Sequence, residues 1–306
     1  MAVVVLSLVT VGWWLGRLSN PPSWPNRNSS PPTVTHVSPD DQAVTLLAAG
    51  DIASGGNDHD EETAKILDQL PGTVAALGDE AYPSGRDQDF QECYEPTWGR
   101  HRSRTRPTPG NHEYVTDRAA GYFRYFNDQA GDPEQGYYSY RLGEWQVFAL
   151  NSNCQEIGGC DYGSPQQRWL EQALAETKTA CALAYSHHPR FSSGLHGDTE
   201  EIDPLWRTLQ RGGVDVALAG HDHDYERFAP LDEQGQADPE TGTRSFVVGT
   251  GGRSLYPLRR VQRGSEARDH KTYGVLRLSL EPTGYRWQFM PVAGSTFTDA
   301  GTGQCH

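Results

Sequence analysis

The sequence predicts an α/β domain, and three observations support this prediction. From residue 44 onwards, short apolar runs rich in β-branched residues alternate with amphipathic helical patterns. Polar residues directly follow several of these runs, which is the position of ligand-binding residues in open α/β sheets. The last part of the chain alternates apolar and polar residues, which is typical of antiparallel strands with one face in solvent.

The hydrophobic pattern predicts the elements in chain order. Buried strands are expected at residues 44–49, 74–77, 145–150, 182–185, 214–219 and 246–248. Helices are expected at residues 61–69, 166–175 and 203–211. Residues 273–280 and 285–292 flank a Glu-Pro-Thr-Gly sequence, which predicts an antiparallel hairpin near the end of the chain.

The first 41 residues differ in composition from the rest of the chain. Residues 2–16 are uncharged and mainly apolar, but they are fewer than the ~20 residues of a membrane-spanning helix. Residues 1–19 are therefore predicted to be a signal peptide or an N-terminal membrane anchor, and a buried core strand is the disfavoured alternative. Residues 20–41 contain six prolines and four serines, which predicts an extended tether. The folded domain is expected to cover residues 42–306 and to lie outside the cytoplasm.

The charge balance excludes one class of partner. The chain has 26 Lys and Arg against 40 Asp and Glu, which gives a formal net charge of −14. Nucleic acids and anionic lipid surfaces are bound through positive surfaces. We therefore expect no nucleic acid as a standing partner, and we expect membrane attachment, if it occurs, through the N-terminal segment.

The cysteines allow a local disulfide but form no zinc or redox motif. There are five of them, and no two have the C-x-x-C spacing of a zinc or redox motif. Cys154 and Cys160 flank a Gly-Gly turn, which predicts a local disulfide if the protein is exported. The alternative is five buried thiols. The odd number leaves at least one cysteine unpaired.

Five short motifs place Asp, Asn, His or Tyr residues after predicted strands. In four of them a glycine comes immediately before the polar residue, which lets the backbone turn sharply and approach an ion. The motifs are Ala49-Gly50-Asp51, Leu77-Gly78-Asp79-Glu80-Ala81-Tyr82, Pro109-Gly110-Asn111-His112-Glu113, Ala184-Tyr185-Ser186-His187-His188-Pro189 and Ala219-Gly220-His221-Asp222-His223-Asp224-Tyr225.

These motifs together supply the donors of a metal centre. Carboxylates, an amide oxygen, three imidazoles and a phenol suit borderline transition metals, and seven donors suit two ions that share a carboxylate better than one ion. His221 and His223 face the same side of an extended segment and can reach neighbouring ions. Each motif alone has a simpler explanation as a turn, a helix cap or a loop. All five in this order favour a dinuclear centre.

The motifs resemble those of the calcineurin-like metallophosphoesterases, and within them the purple acid phosphatases, over residues 42 to about 300. The family pattern is Asp-x-Gly, Gly-Asp-x-x-Tyr, Gly-Asn-His-Glu/Asp, Val-x-x-His and Gly-His-x-His. Ala53 and Ala184 depart from this pattern at positions that are not ligands. Other metallophosphoesterases have a histidine at the position of Ala53, and the presence of Tyr82 instead indicates the purple acid phosphatase branch.

The resemblance implies a four-layer α/β sandwich with two mixed sheets flanked by helices. It also implies three groups of metal ligands: Asp51, Tyr82 and His223 on one ion, Asn111, His187 and His221 on the other, and Asp79 as the bridge. A phenolate beside carboxylates favours Fe³⁺ on the first ion, with divalent Fe, Zn or Mn on the second. Because only 50 residues precede Asp51, we expect the small form of the family without an added β-domain.

The expected function is an exported metal-dependent phosphatase that hydrolyses small phosphomonoesters. The chain has no G-x-S-x-G motif, so a hydroxide bound to the metal ions is expected to attack phosphorus directly. His112 is the candidate general acid for the leaving alkoxide. Asn111 and His188 are candidate substrate-binding residues, although His188 could equally be a loop histidine. His196 is a further candidate for the same pocket.

Several alternatives remain open from the sequence. The same metal ligands would serve a phosphodiesterase or a nucleotidase. A degenerate, non-catalytic surface binding module is disfavoured because none of the seven ligands is missing. Asp222 and Asp224 could either accept hydrogen bonds behind the metal histidines or belong to an ion-paired loop. Residues 249–252 resemble a phosphate-binding loop, but a tight turn near the metal centre is favoured.

Overall fold

The computed structural model describes residue 1, residues 43–56 and residues 59–306. The predicted signal peptide or anchor and the predicted tether therefore lie outside the described residues, apart from Met1. Within the described part of the chain, no helix has both the length and the apolar character needed to cross a membrane.

Strands and helices alternate through the first two thirds of the described domain. The strands are β1 (Val44–Ala49), β2 (Thr73–Ala76), β3 (Thr105–Pro107), β4 (Tyr138–Leu142), β5 (Trp145–Ala149), β6 (Cys181–Tyr185), β7 (Val216–Ala219), β8 (Tyr225–Leu231), β9 (Thr243–Val248), β10 (Ser265–Asp269), β11 (Gly274–Glu281), β12 (Gly284–Pro291) and β13 (Ala300–Gln304). The α-helices are α1 (His59–Gln69), α2 (Asp87–Asp89), α3 (Ala120–Phe126), α4 (Pro165–Glu176) and α5 (Asp203–Arg211). A π-helical turn, Phe90–Tyr94, continues α2, and 3₁₀ turns join several other elements.

The strands form two mixed sheets. The first sheet has the order β13-β12-β11-β1-β2-β3, in which β1, β2 and β3 are parallel and the other neighbours are antiparallel. The second sheet has the order β10-β8-β9-β7-β6-β5-β4, with β9, β7, β6 and β5 parallel. The parallel strands of each sheet end at one edge, and the predicted motifs follow five of these strands.

The alternation of side chains along β6 shows how the layers pack. Leu183 and Tyr185 belong to the apolar cluster that contains side chains from both sheets. Ala182 and Ala184 point to the other face and pack in a cluster with leucines of α4 and α5. On the first sheet, α1 contacts β11. These contacts confirm the predicted arrangement of two mixed sheets flanked by helices.

The structure confirms the strongly patterned elements and adds others. Each strand and helix listed from the sequence is present, with bounds that differ by at most three residues. The added strands are β3, β4, β8, β10 and β13. They lack a buried apolar run: β3 has three residues and ends in Pro107, and along β4 and β13 the side chains alternate between exposed and partly exposed positions.

Two disulfides join parts of the described domain. Cys154–Cys160 confirms the predicted local pair. Cys181–Cys305 joins the start of β6 to the residue after β13 across 124 positions of sequence, and no local pattern indicated it. Cys93 is the unpaired cysteine.

Candidate metal centre

The seven predicted ligands meet where the parallel strands of the two sheets end. The loops after β1, β2 and β3 of the first sheet carry Asp51, Asp79, Tyr82 and Asn111, and the loops after β6 and β7 of the second sheet carry His187, His221 and His223. Five separate loops thus contribute donors to one place, as expected for carboxyl ends of parallel strands.

One group of donors surrounds the hydroxyl of Tyr82. Its oxygen lies 3.1 Å from Asp51 Oδ1 and 3.0 Å from Asp79 Oδ2. It lies 3.2 Å from His223 Nε2, which is itself 3.3 Å from Asp51 Oδ1. These are the residues that the resemblance assigns to the first metal ion, together with the bridging aspartate.

A second group of donors surrounds the ring of His187. Its Nε2 lies 3.1 Å from Asn111 Oδ1 and 3.2 Å from His221 Nδ1. The same nitrogen lies 3.5 Å from Asp79 Oδ1. The two oxygens of Asp79 therefore face different groups, Oδ2 towards Tyr82 and Oδ1 towards His187, which is the placement that a bridging carboxylate requires.

The donor set fits a pair of cations. Asp51 and Asp79 are buried beside the phenol of Tyr82, and no lysine or arginine side chain among the described residues pairs with either carboxylate. Buried carboxylates are costly unless a cation or hydrogen bonds compensate their charge. A hard carboxylate and phenol group next to imidazole nitrogens matches the ligands of transition metals.

The charges within the centre shift the pKa values of its histidines. Burial lowers the pKa of His187, but the Asp79 carboxylate outweighs burial and raises this pKa to about 9. Burial and the neighbouring His187 hold the pKa of His221 well below its usual range. Burial, followed by the charges of Asp51 and Asp79, raises the pKa of the Tyr82 phenol well above its usual value. A phenolate at Tyr82 therefore requires a cation beside it.

Backbone carbonyls orient two of the metal-facing imidazoles. His187 Nδ1 lies 2.9 Å from the Leu77 carbonyl oxygen, and His223 Nδ1 lies 2.6 Å from the Ser254 carbonyl oxygen. Because a carbonyl can only accept, each Nδ1 carries the proton and each Nε2 presents its lone pair to the centre.

Three of the donor residues have unusual backbone conformations that set the directions of their side chains. Asp51, Asp79 and His221 have φ values of 59°, 51° and 70°, in the left-handed region that costs energy for residues other than glycine. Backbone hydrogen bonds hold these conformations: the Ile52 N–H donates to the Asp79 carbonyl, and the His221 N–H donates to the Asp51 carboxylate at 2.8 Å.

The carboxylate of Glu113 joins two of the ligand loops. It is buried and accepts hydrogen bonds from four backbone N–H groups, those of Asp79 at 2.9 Å, Glu80 at 3.0 Å, Ala81 at 3.3 Å and Gly110 at 2.8 Å. Glu113 belongs to one of the sequence motifs, but no role was predicted for it from the sequence. In the structure it fixes the loop after β2 against the loop after β3.

The three further histidines named from the sequence all lie at this centre. His112 Nδ1 lies 2.6 Å from the Pro83 carbonyl oxygen, and its Nε2 is 3.8 Å from Asp79 Oδ2. A ring nitrogen of His188 lies within 4.8 Å of ring nitrogens of His187 and His221, close enough to share an ion with them. The His196 ring centroid is 4.4 Å from that of His221.

Two further segments lie behind the histidines. Asp222 accepts hydrogen bonds from the backbone N–H groups of His196 and Gly197, so it holds the His196 loop. Asp224 is buried, and neither of its carboxylate oxygens has a hydrogen-bond partner among the described residues. In residues 249–252, the N–H groups of Gly249 and Gly251 donate to the backbone carbonyls of Asp224 and Gly50, so these two groups are not free to bind phosphate.

Two side chains at the centre had no signal in the sequence. The guanidinium of Arg253 lies 5.0 Å from the centroid of the Tyr82 ring. The ring of Tyr256 stacks on that of His223, with centroids 4.1 Å apart. Arg253 and Tyr256 follow residues 249–252, and the glycines of that segment are the only nearby feature that the sequence analysis considered.

The fold and the convergent donors define a metal-dependent phosphoesterase class of protein. Residues 31–225 match the sequence model of the calcineurin-like phosphoesterase family. This match covers more than half of the chain, and the chain belongs to that family. Family membership supports the predicted enzyme class, a metal-dependent phosphoric ester hydrolase.

Curated relatives support the purple acid phosphatase branch. Purple acid phosphatase 18 of Arabidopsis thaliana is 25% identical over 231 residues, which are 68% of this chain and 50% of the relative. A nucleotide pyrophosphatase/phosphodiesterase of Hordeum vulgare is 27% identical over 200 residues, which are 56% of this chain and 54% of the relative. The chain spans about half the length of these relatives.

Solved structures share the fold. Purple acid phosphatase PPD1 from yellow lupin (Lupinus luteus) seeds superposes with a TM-score of 0.69 at 18% identity, over 85% of this chain and 53% of that chain. GAP50, the anchor in the inner membrane complex of Plasmodium, gives a TM-score of 0.68 at 13% identity, over 86% and 89% of the two chains. At these identities the likeness concerns the fold alone.

Replacing Gly110 with alanine should weaken metal binding. A Cβ at this position would overlap the side-chain oxygen Oδ1 and the backbone nitrogen of Asp79 and would displace the bridging carboxylate. We expect metal affinity to fall about 10- to 100-fold, the usual range when the support of a ligand is lost. Metal titration of the apo protein measures this, with circular dichroism to check the fold.

Gly56→Ala is the matched control because, apart from its chain neighbours, no atom of the described residues lies within 4 Å of the added Cβ. Equal metal affinities for Gly110→Ala and the control would contradict the assigned place of Asp79.

Proposed function

We propose that this chain is an exported dinuclear-metal phosphatase that hydrolyses phosphomonoesters. The observation that carries the proposal is the position of Asp79, whose two carboxylate oxygens face two separate groups of donors. Asp51, Tyr82 and His223 would hold one ion with Asp79. The other ion would be held by the opposite group, Asn111, His187 and His221.

The metal pair supplies positive charge beside the phosphoryl group and activates water as a nucleophile near neutral pH. The protein supplies the positions of the ligands. The carbonyls of Leu77 and Ser254 fix two imidazole rings, and Glu113 fixes the loops of Asp79 and Asn111. Because these supports are buried and in place before substrate arrives, little reorganisation is needed during the reaction.

His112 is the proposed general acid. Its Nδ1 donates to the Pro83 carbonyl, so the ring can act as an acid only when it carries a second proton, which then lies on Nε2, on the side of the ring that faces Asp79. The backbone N–H of His112 also donates to Asp79 Oδ1 at 2.9 Å, which fixes the residue relative to the centre. A proton from Nε2 would neutralise the alkoxide as it leaves phosphorus.

His188 is proposed to bind phosphate as a neutral donor. Its backbone N–H donates to Ser152 Oγ at 2.9 Å, so the Ser152 hydroxyl can donate to His188 Nδ1 at 2.8 Å. This leaves the proton of the neutral ring on Nε2. Burial, followed by the charge of His187, lowers the pKa of His188 to about 3. The Asn111 side chain would contribute to the same phosphate site.

A phosphodiesterase or nucleotidase is the second candidate. The Hordeum vulgare relative, named as a nucleotide pyrophosphatase/phosphodiesterase, is the observation that favours it. A non-catalytic binding module is the third. The convergence of all seven ligands argues against it, because a scaffold that no longer holds metal has no reason to keep them.

Export is supported by the two disulfides, one of which links distant parts of the described domain. Disulfides persist in oxidising compartments and are rare in the cytosol. We propose that the uncharged segment at residues 2–16 directs this export and that the protein remains secreted or anchored facing outward.

Elemental analysis and hydrolysis assays together test the proposed activity. The purified protein should contain two metal ions per chain, with iron among them, and His187→Ala should retain about one. The wild type should hydrolyse an aryl phosphate faster than the matching aryl phosphodiester. One ion in the fully loaded wild type would refute the dinuclear centre, and faster diester hydrolysis would favour the second candidate.

His112→Ala should slow the hydrolysis of phosphomonoesters with poor leaving groups more than that of esters with good leaving groups. General acid catalysis contributes roughly 10²–10⁴-fold where an alkoxide must depart, and a nitrophenolate needs little of this help. Turnover of glycerol phosphate should therefore fall much more than turnover of nitrophenyl phosphate. Metal content is measured in the same preparation, because Asn111 could shift and release an ion. Equal losses at full metal occupancy would contradict the role of general acid.

Fractionation of cells and medium tests export. The protein should be found outside the cytoplasm, and thiol labelling under non-reducing conditions should modify one cysteine, Cys93, in the denatured chain. Deleting residues 2–16 should retain the product in the cytoplasm. A full-length wild-type product that accumulates free in the cytoplasm would refute this proposal.

A further inference from the structure

A groove of about 280 Å³ opens beside the candidate metal centre. It shares Asn111 and His188 with the centre, so a phosphoester bound there can extend its alcohol part into the groove. The other residues that line it come from three turns: Tyr114, Val115, Ser152, Asn153, Cys154, Gln155, Glu156, Thr199 and Glu201.

The groove carries negative charge. Glu156 and Glu201 line it with exposed side chains, and no lysine or arginine among the described residues lines it. An alcohol with a second phosphate or a carboxylate would therefore meet two like charges here.

The groove also contains an aromatic ring that is held in position. Asn151 Nδ2 donates to the hydroxyl oxygen of Tyr114 at 2.7 Å, which holds the hydroxyl end of the ring. Burial raises the pKa of the Tyr114 phenol, and the charge of Glu156 adds to this rise. An aromatic ring beside carboxylates is the combination that binds ammonium groups, by cation–π attraction and charge.

Buried neighbours anchor the turns that carry the two carboxylates. Glu156 ends the turn Cys154–Glu156, which the Cys154–Cys160 disulfide ties down. Glu201 lies in the turn Glu200–Ile202, and Ile202 packs in the same apolar cluster as the disulfide. The backbone of both turns is therefore held beside the groove.

We infer that this groove receives the leaving alcohol and selects phosphomonoesters of short alcohols that carry an ammonium group. The inference rests on the proposed phosphatase function and adds a substrate class to it. Glu156 and Glu201 attract the ammonium group, and Tyr114 contacts it. Substrates whose alcohol part carries additional phosphate are disfavoured, which separates this site from one built for nucleotides.

Matched substrates test the inference in the metal-loaded full chain. Phosphocholine and 3,3-dimethylbutyl phosphate have the same shape and differ in the charge of the terminal group. We expect kcat/KM to favour phosphocholine by about 10-fold, which is the size of a cation–π contact combined with exposed ion pairs. Phosphoglycolate, with a carboxylate at this end, should be the poorest of the three.

Variants of the groove residues test whether the preference for phosphocholine arises in the groove. In the double variant Glu156→Gln, Glu201→Gln, the ratio of kcat/KM for phosphocholine to kcat/KM for 3,3-dimethylbutyl phosphate should fall to near one. The kcat/KM for phosphoglycolate should rise. Glu144→Gln is the control, because this exposed glutamate precedes β5, does not line the groove and lies at the opposite end of that strand from Glu156. It should keep the wild-type ratio.

Hydrolysis of nitrophenyl phosphate distinguishes a failure of the proposed function from a failure of the inference about the groove. If the protein with two ions does not hydrolyse it, the proposed function fails. If it hydrolyses this ester but treats phosphocholine and the neutral ester alike, the inference about the groove is wrong. An unchanged preference in the double variant would also overturn it.

Discussion

The buried carboxylate of Glu113 is the contact on which the geometry of the centre depends. It accepts four backbone N–H groups from the loops after β2 and β3, which carry Asp79 and Asn111. Burial and the nearby Asp79 raise the pKa of Glu113 to about 7, while the N–H groups of Gly110 and Ala81 oppose this rise. A neutral apolar residue of the same size would leave those N–H groups unpaired in the interior, which is costly. The ligand loops therefore owe their relative position to one side chain that binds no metal in the proposed centre.

The relative position of the two sheets also matters, because neither sheet carries all the donors of the centre. Hydrogen bonds across the junction set this relation: the Gly50 N–H donates to the Val248 carbonyl, and the Gly251 N–H donates to the Gly50 carbonyl. Gly50 and Gly251 have no side chain to separate these backbones, and a Cβ on Gly251 would contact the Gly50 carbonyl at 2.5 Å. The apolar cluster between the sheets holds the remaining surfaces together.

Negative charge occurs in two places around the centre, among the buried donors and in the surface groove beside them. In the interior, carboxylates and a phenol create a site that is incomplete without cations. At the surface, the described residues that line the groove beside it include two carboxylates and no lysine or arginine. The interior charge would attract metal ions and through them the phosphate, whereas the groove charge would act on the part of the substrate that leaves. Metal content and substrate preference can therefore be changed separately by mutation.

The sequence by itself determined the features that are local along the chain: the buried strands, the hairpin of β11 and β12, the Cys154–Cys160 pair and the five motifs that end strands. These follow from periodicity, turn chemistry and short spacings. The tertiary structure decided which of these features meet. The pairing of Cys181 with Cys305, the stacking of Tyr256 on His223 and the N–H groups that Glu113 binds all join residues whose separation in sequence carries no pattern. Such contacts arise when strands from different parts of the chain pack side by side, and their cause is the packing of the whole domain.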